Sequence, residues 1–143
     1  MTLPRVAFIG TGGTIASIGR GPLDLVDYSA TGNLLDAAGL VARFPEVREV
    51  AEVVPVPYRA VSSTRVGWAD WKALLLLCDR LVADDPSLAG IVIGHGTASL
   101  EETAYFLSLT LKTSVPVVLV GAQRPSSALS TDAGLNLVNA VRV

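Results

Sequence analysis

Hydroxyl side chains gather in four short polar stretches, each placed just after an apolar run. Thr11 and Thr14 fall in 10–17, Ser62 and Ser63 in 60–66, Thr97 in 94–99, and Ser126 and Ser127 in 121–127. An alcohol is a weak nucleophile until a neighbouring base takes its proton and a second site receives the oxyanion. Hydroxyls collected in one place therefore suit a small polar ligand, and acyl transfer if one of them is activated. The stretch Gly10-Thr11-Gly12-Gly13-Thr14-Ile15-Ala16-Ser17 invites a nucleotide reading, because it follows the strand-like Val6-Ala7-Phe8-Ile9. It has neither the three-glycine dinucleotide fingerprint nor the Lys-Ser/Thr pair of a phosphate loop. Its pattern leaves a structural turn, an anion nest and a catalytic loop all open.

Other candidates have plainer readings. His95, between Gly94 and Gly96, is the only histidine, and no carboxylate stands at ligand spacing from it, so no metal is expected. Glu101 and Glu102 look like paired acids, but Ser99 with Glu102 three residues on reads as a capping box. Ser126 and Ser127 start a turn or cap the following helix on the bland reading. Asp84-Asp85 reads as a solvated helix end.

The elements that must hold these loops alternate. Val6–Ile9, Val50–Val56, Ile91–Ile93 and Val115–Val120 are strand-like, with Pro55 and Pro57 fraying the second. Asn33–Phe44 is a modest helix weakened by Gly39. A second helix opens at Trp68 or Asp70, with Trp71, Leu74, Leu75, Cys78, Leu81 and Val82 on one face. Leu100, Ala104, Leu107 and Leu111 mark a third. Ser130, Thr131 or Asp132 caps a fourth, which runs to Val143 without a stop signal, so the chain reads as cut rather than finished. Residues 18–32 form a long polar loop, the kind that is more often functional than decorative. The alternation predicts an α/β three-layer sandwich, Rossmann-like, with a mainly parallel sheet and helices on both faces. Ligands in such sheets lie beyond the carboxyl ends of the strands, where all four polar loops emerge.

Composition narrows the class. Among 143 residues, 50% are hydrophobic and 17% charged, enough for one packed domain and hardly for two. A net charge of −2 without a basic cluster argues against nucleic acid and anionic membranes as partners. Cys78 is the only cysteine, which rules out an internal disulfide and suits a small buried hydrophobe. No apolar run approaches the ~18 residues of a membrane span. The first strand begins almost at once, so the cytoplasm is the expected compartment.

Two stretches carry a family resemblance. Thr11-Gly12-Gly13-Thr14-Ile15-Ala16 resembles the first signature of the bacterial L-asparaginases, and His95-Gly96-Thr97 with Leu100-Glu101-Glu102-Thr103-Ala104 resembles the second. Tyr28, the Ser62-Ser63 pair and Val120-Gly121-Ala122-Gln123-Arg124-Pro125 fall where that family has its loop tyrosine, substrate-binding serine and Gly-Ala-x-Arg-Pro segment. The resemblance implies Thr14 as nucleophile, Tyr28 closing over it from a mobile loop, and Thr97 as second catalytic hydroxyl. It implies Ser63, with Ser62, for the substrate carboxylate, and the backbone at Ala122 near the scissile amide. A small primary amide is the implied partner, without a cofactor, in a homo-oligomer (dimer or tetramer).

Two departures qualify the resemblance. The family has aspartate after its second catalytic threonine, pairing with the substrate ammonium; here the residue is Ala98. The family's catalytic lysine lies on a strand downstream of the fourth helix, and Lys72 and Lys112 belong to other helices. Residues 1–143 thus read as an N-terminal catalytic domain truncated before the lysine strand and a smaller C-terminal domain, and as inactive alone. The alternative is a non-catalytic ligand-binding or regulatory protein on the same fold.

Overall fold

Continuous Val, Ile and Ala runs become strands covered on both faces. The computed structural model describes residues 2–143. Strands β1 (Arg5–Gly10), β2 (Glu52–Val56), β3 (Leu88–Gly94) and β4 (Val117–Val120) form one sheet in the order β2-β1-β3-β4. Every pairing is parallel, with Ala7 opposite Val54 on one side and Ile91 on the other.

Alternation along each strand feeds two cores. Val6, Phe8, Val53, Val92 and Val120 pack against helices α1 (Ala37–Arg43) and α4 (Ala133–Arg142). Ala7, Ile9, Ile91 and Ile93 face α2 (Trp68–Asp84) and α3 (Leu100–Thr110). Phe8, Ile9 and Ile93 are fully buried, each contributing about 1.5–3 kcal/mol of transfer free energy. Cys78 is buried on α2, and burial pushes its thiol up to about 12, so it packs as an inert apolar group.

The strand order explains where the loops meet. From β1 the chain passes through α1 on one face to β2; from β3 it passes through α3 on the other face to β4. The direction of winding reverses between β1 and β3, which opens a crevice beyond their carboxyl ends. Residues 11–17 and 95–99, which follow β1 and β3, are the segments at that crevice.

Several element boundaries differ from expectation. The first helix begins at Ala37 rather than Asn33. Asn33 gives its carbonyl to the Ile18 amide (2.9 Å), and Leu34 bridges Ser17. Asp36 then caps the helix by accepting from the Gly39 amide at 2.7 Å. The second strand starts at Glu52 because Pro45–Glu49 turns as 3₁₀ helix. Pro55 stays within the strand, opposite Phe8. No described strand pairs with the other side of β2, so the missing N–H of Pro55 breaks no ladder.

Candidate active site

Two backbone features bring the loops after β1 and β3 into contact. Gly13 has φ +82°, and a Cβ there would stand 2.3 Å from Gly96 Cα. Gly96 in turn lies so close to Ser63 that a side chain would meet its Oγ at 2.5 Å. Three loops therefore converge at a spacing that only hydrogen in place of a side chain permits. Hydrogen bonds fix the arrangement: Thr11 Oγ1 donates to the Gly94 carbonyl (2.8 Å), and the Val61 amide donates to the Thr11 carbonyl (2.8 Å). The His95 amide donates to Val120 (2.8 Å), which ties in the end of β4.

Immediately after Gly13, residues Thr14–Ala16 make a single 3₁₀ turn that buries Ile15 and Ala16 and leaves Thr14 partly exposed. Thr14 Oγ1 lies 3.0 Å from Tyr28 Oη. Tyr28 opens a second 3₁₀ turn, Tyr28–Thr31, inside the predicted lid segment. Thr31 Oγ1 donates to the Ile18 carbonyl (2.7 Å), and Ser127 Oγ accepts from the Gly19 amide (2.8 Å). The segment thus runs over the surface and is anchored at its ends, with no residue of 18–32 fully buried.

Thr14, Tyr28, Ser62 and Ser63 line one cavity of ≈360 Å³. Ser17, Asn33 and Arg65 line it too, and nothing in the sequence singled these three out. Their signal was position alone, in polar loops beyond strand ends. Thr97, Ala98 and Ala122 do not line it. Thr97 and Ala98 are exposed just before α3, with Thr97 Cγ2 against Gly121, while Ala122 is buried in the loop after β4.

Ser99 is not the capping box partner expected. Its hydroxyl donates to the Ser63 carbonyl at 2.6 Å, and no bond joins it to Glu102. A carbonyl supplied by the 60–66 loop takes the proton that a local cap would otherwise leave free. Ser126 and Ser127 are the two central residues of a turn, as one of the plain readings expects, closed by the Ala128 amide on the Pro125 carbonyl (2.9 Å), and their hydroxyls also act across the structure. Ser126 is buried with its hydroxyl on the Ile15 carbonyl, directly behind Thr14.

His95 is buried, and both ring nitrogens are engaged. Gly96 offers a carbonyl 2.8 Å from Nδ1, so that nitrogen carries the proton; Nε2 then faces Thr103 Oγ1 at 3.1 Å. Trp71 Nε1 donates to the same threonine oxygen at 2.9 Å. Burial holds the His95 pKa below its ordinary value, which keeps the ring neutral. The histidine thus braces the loop carrying Gly96. No group of three or more His, Cys, Asp or Glu suited to a metal occurs among the described residues. Nor is any described helix long and apolar enough to cross a membrane.

A parallel α/β sheet with a threonine and a tyrosine hydroxyl in contact at its winding-reversal crevice defines a hydroxyl-centred site. Residues 5–143 match the family described as Asparaginase, N-terminal, and the chain belongs to that family. It is 42% identical over 145 residues to L-asparaginase 2 of Bacillus subtilis (strain 168), covering 99% of this chain and 37% of that protein. It is 40% identical over 137 residues to glutaminase-asparaginase of Acinetobacter glutaminasificans, covering 96% of this chain and 40% of the relative. The crystal structure of a probable cytoplasmic L-asparaginase from Campylobacter jejuni superposes with a TM-score of 0.85 at 39% identity, over 96% of this chain and 40% of that one. The chain therefore spans about two fifths of the length of these relatives.

Proposed function

We propose that this chain forms the nucleophile-bearing part of an asparaginase-like amidohydrolase that converts a small primary amide to a carboxylate and ammonia. The observation that carries this reading is the 3.0 Å contact between Thr14 Oγ1 and Tyr28 Oη at the cavity. Thr14 Oγ attacks the amide carbon while its proton passes toward Tyr28. The C–N bond breaks, ammonia leaves with a proton, and the acyl group remains as an ester on Thr14. Water, oriented by the Thr97 hydroxyl, then hydrolyses that ester and restores the threonine. Ser62 and Ser63 bind the polar end of the substrate, and the Ala122 backbone stands near the scissile amide. In support of this reading, Thr14 follows directly on the Gly13–Gly96 contact, where the loops after β1 and β3 approach one another.

Residues 1–143 are on this reading an N-terminal catalytic domain that works with further chain, in a homo-oligomer in the cytoplasm. The test is ammonia release from L-asparagine and related amides by the full-length protein and its Thr14→Ala variant. Turnover by wild type and its loss in the variant support the proposal. Equal turnover by both would remove Thr14 from the nucleophile's place.

A further inference from the structure

The cavity beside Thr14 carries a single formal charge, and it is positive. Of its lining residues only Arg65 is ionic; the others are small, apolar or hydroxyl-bearing, apart from Asn33. No carboxylate lines it among the described residues. Arg65 ends the 3₁₀ turn Ser63–Arg65, with its amide on the Ser62 carbonyl at 2.8 Å, which sets its Cα on the same short turn as Ser63. Its side chain is exposed and makes no ion pair among the described residues. The contrast with Arg59 is direct. Six residues earlier, that guanidinium is already taken by the nearly buried carboxylate of Asp70.

A guanidinium without an ion pair, on a residue that lines the same cavity as Ser62 and Ser63, adds to their hydroxyls a donor suited to a carboxylate: planar, permanently charged and capable of two parallel hydrogen bonds. For an ammonium group the same lining has neutral hydroxyl and amide oxygens to accept its hydrogen bonds but no carboxylate among the described residues, and the guanidinium repels it. We infer that Arg65 is a specificity-determining residue that binds a substrate carboxylate, so that the site takes an amide bearing a carboxylate without a neighbouring ammonium. The inference rests on the amidohydrolase reading for the word substrate, and on the cavity alone for the anion. Monoamides of dicarboxylic acids are the class that fits.

The experiment uses the full-length protein, its Arg65→Ala and Arg65→Lys variants, and four probes: succinamate, the neutral diamide succinamide, L-asparagine and the non-hydrolysable product succinate. Calorimetry with succinate reads the anion site without requiring turnover. Arg65→Ala is expected to weaken succinate binding ~10–100-fold, the range for losing a charge-assisted pair, with Arg65→Lys in between. The kcat/KM for succinamate falls by a similar factor, mainly through KM, while that for succinamide stays within about twofold because it has no charge to lose. Wild type favours succinamate over asparagine by at least about tenfold. Succinate binding that is unchanged in Arg65→Ala, or absent from wild type, overturns the anion site. Asparagine turned over as well as succinamate overturns the exclusion of ammonium. If no amide is hydrolysed yet succinate binding still depends on Arg65, the amidohydrolase reading fails and the anion site stands.

Discussion

The hydroxyl oxygens of Thr14 and Tyr28 stand 3.0 Å apart, although the two residues lie on separate 3₁₀ turns fourteen positions apart. One is held from behind: Ser126 donates to the carbonyl of the next residue, Ile15. The other sits on a surface segment anchored near both ends. A fixed threonine hydroxyl therefore meets a partner on the more exposed element, a geometry suited to closure over a ligand.

That contact makes the first prediction. Tyr28→Phe removes one hydroxyl and leaves the ring. Full-length Tyr28→Phe should release ammonia ~10²–10⁴-fold more slowly, as loss of proton-transfer assistance does, with kcat falling more than KM rises. Progress curves on any accepted amide measure it. A variant as fast as wild type would make the tyrosine a mere cover.

The glycine contact makes the second. Alanine at Gly13 must hold φ +82° and place a methyl 2.3 Å from backbone Cα of Gly96. Strain and overpacking together should destabilise Gly13→Ala by at least about 2 kcal/mol. Urea midpoints at constant m-value report the loss. Unchanged stability would mean that the loops after β1 and β3 part easily.

Much of this frame was readable from residue patterns, and the failures share a cause. Val6–Ile9 and Ile91–Ile93 were legible as strands because a two-sided core demands unbroken apolar runs. Leu74 and Cys78 lay on the expected inward face of α2 for the same reason. Thr14, Ser62 and Ser63 are legible as a cluster because parallel sheets deliver their loops to one edge, whereas Tyr28 enters through the family resemblance; Thr97, Ser126 and Ser127, expected in the same cluster, do not line the cavity. The spacing that pairs Ser99 with Glu102 does not show that the Ser63 carbonyl, 36 positions away, competes for the serine proton. Asn33 and Leu34 left the predicted helix for the same kind of reason, a long-range pairing with Ile18 and Ser17. Arg65 is not legible from sequence, since a charge in a polar loop has no mark of its own until the fold puts a cavity beside it.

A third prediction concerns acid. Burial lowers the His95 pKa, so the unfolded chain binds this proton more readily than the folded one. Its contribution to stability is intact above the ordinary histidine range, near pH 6.5. It declines as pH falls through that range toward the lowered folded value. Between pH 8 and pH 5, wild type should lose more stability than His95→Gln, which has no proton to gain. The shifted carboxylates Asp85 and Asp132 are held below the usual range, so they add little in that window. Parallel pH profiles for the two proteins would count against the neutral, bracing histidine.

Asp132 supplies a fourth. Partial burial pushes its carboxyl up, but the amides of Gln123 and Arg124, with Asn136, outweigh that and hold it below the usual range. Asp132→Ala leaves those two amides without their acceptor and should cost about 1–3 kcal/mol. Hydrogen exchange should quicken first at Gln123 and Arg124, at 3.0 and 2.9 Å from the carboxylate oxygens. Protection unchanged at both amides would show that the 121–127 loop is held by something else.

The last prediction concerns Ala98. It is exposed just before α3, beside Ser99, whose hydroxyl grips the carbonyl of cavity-lining Ser63 at 2.6 Å. A carboxylate introduced there is favoured by the amino end of the helix, so Ala98→Asp should fold without strain. It would also provide an anion near a cavity whose only charged lining residue, among the described residues, is Arg65. An amide with both a carboxylate and an ammonium would then find a partner for each, where the native site partners only the first. Succinamate gains nothing from the new carboxylate and suffers some repulsion. The ratio of kcat/KM for L-asparagine to that for succinamate should therefore rise ~10–100-fold in full-length Ala98→Asp. Combining it with Arg65→Ala should depress both substrates, because each still needs its carboxylate bound. A ratio that stays put in Ala98→Asp would place the ammonium elsewhere, beyond reach of position 98.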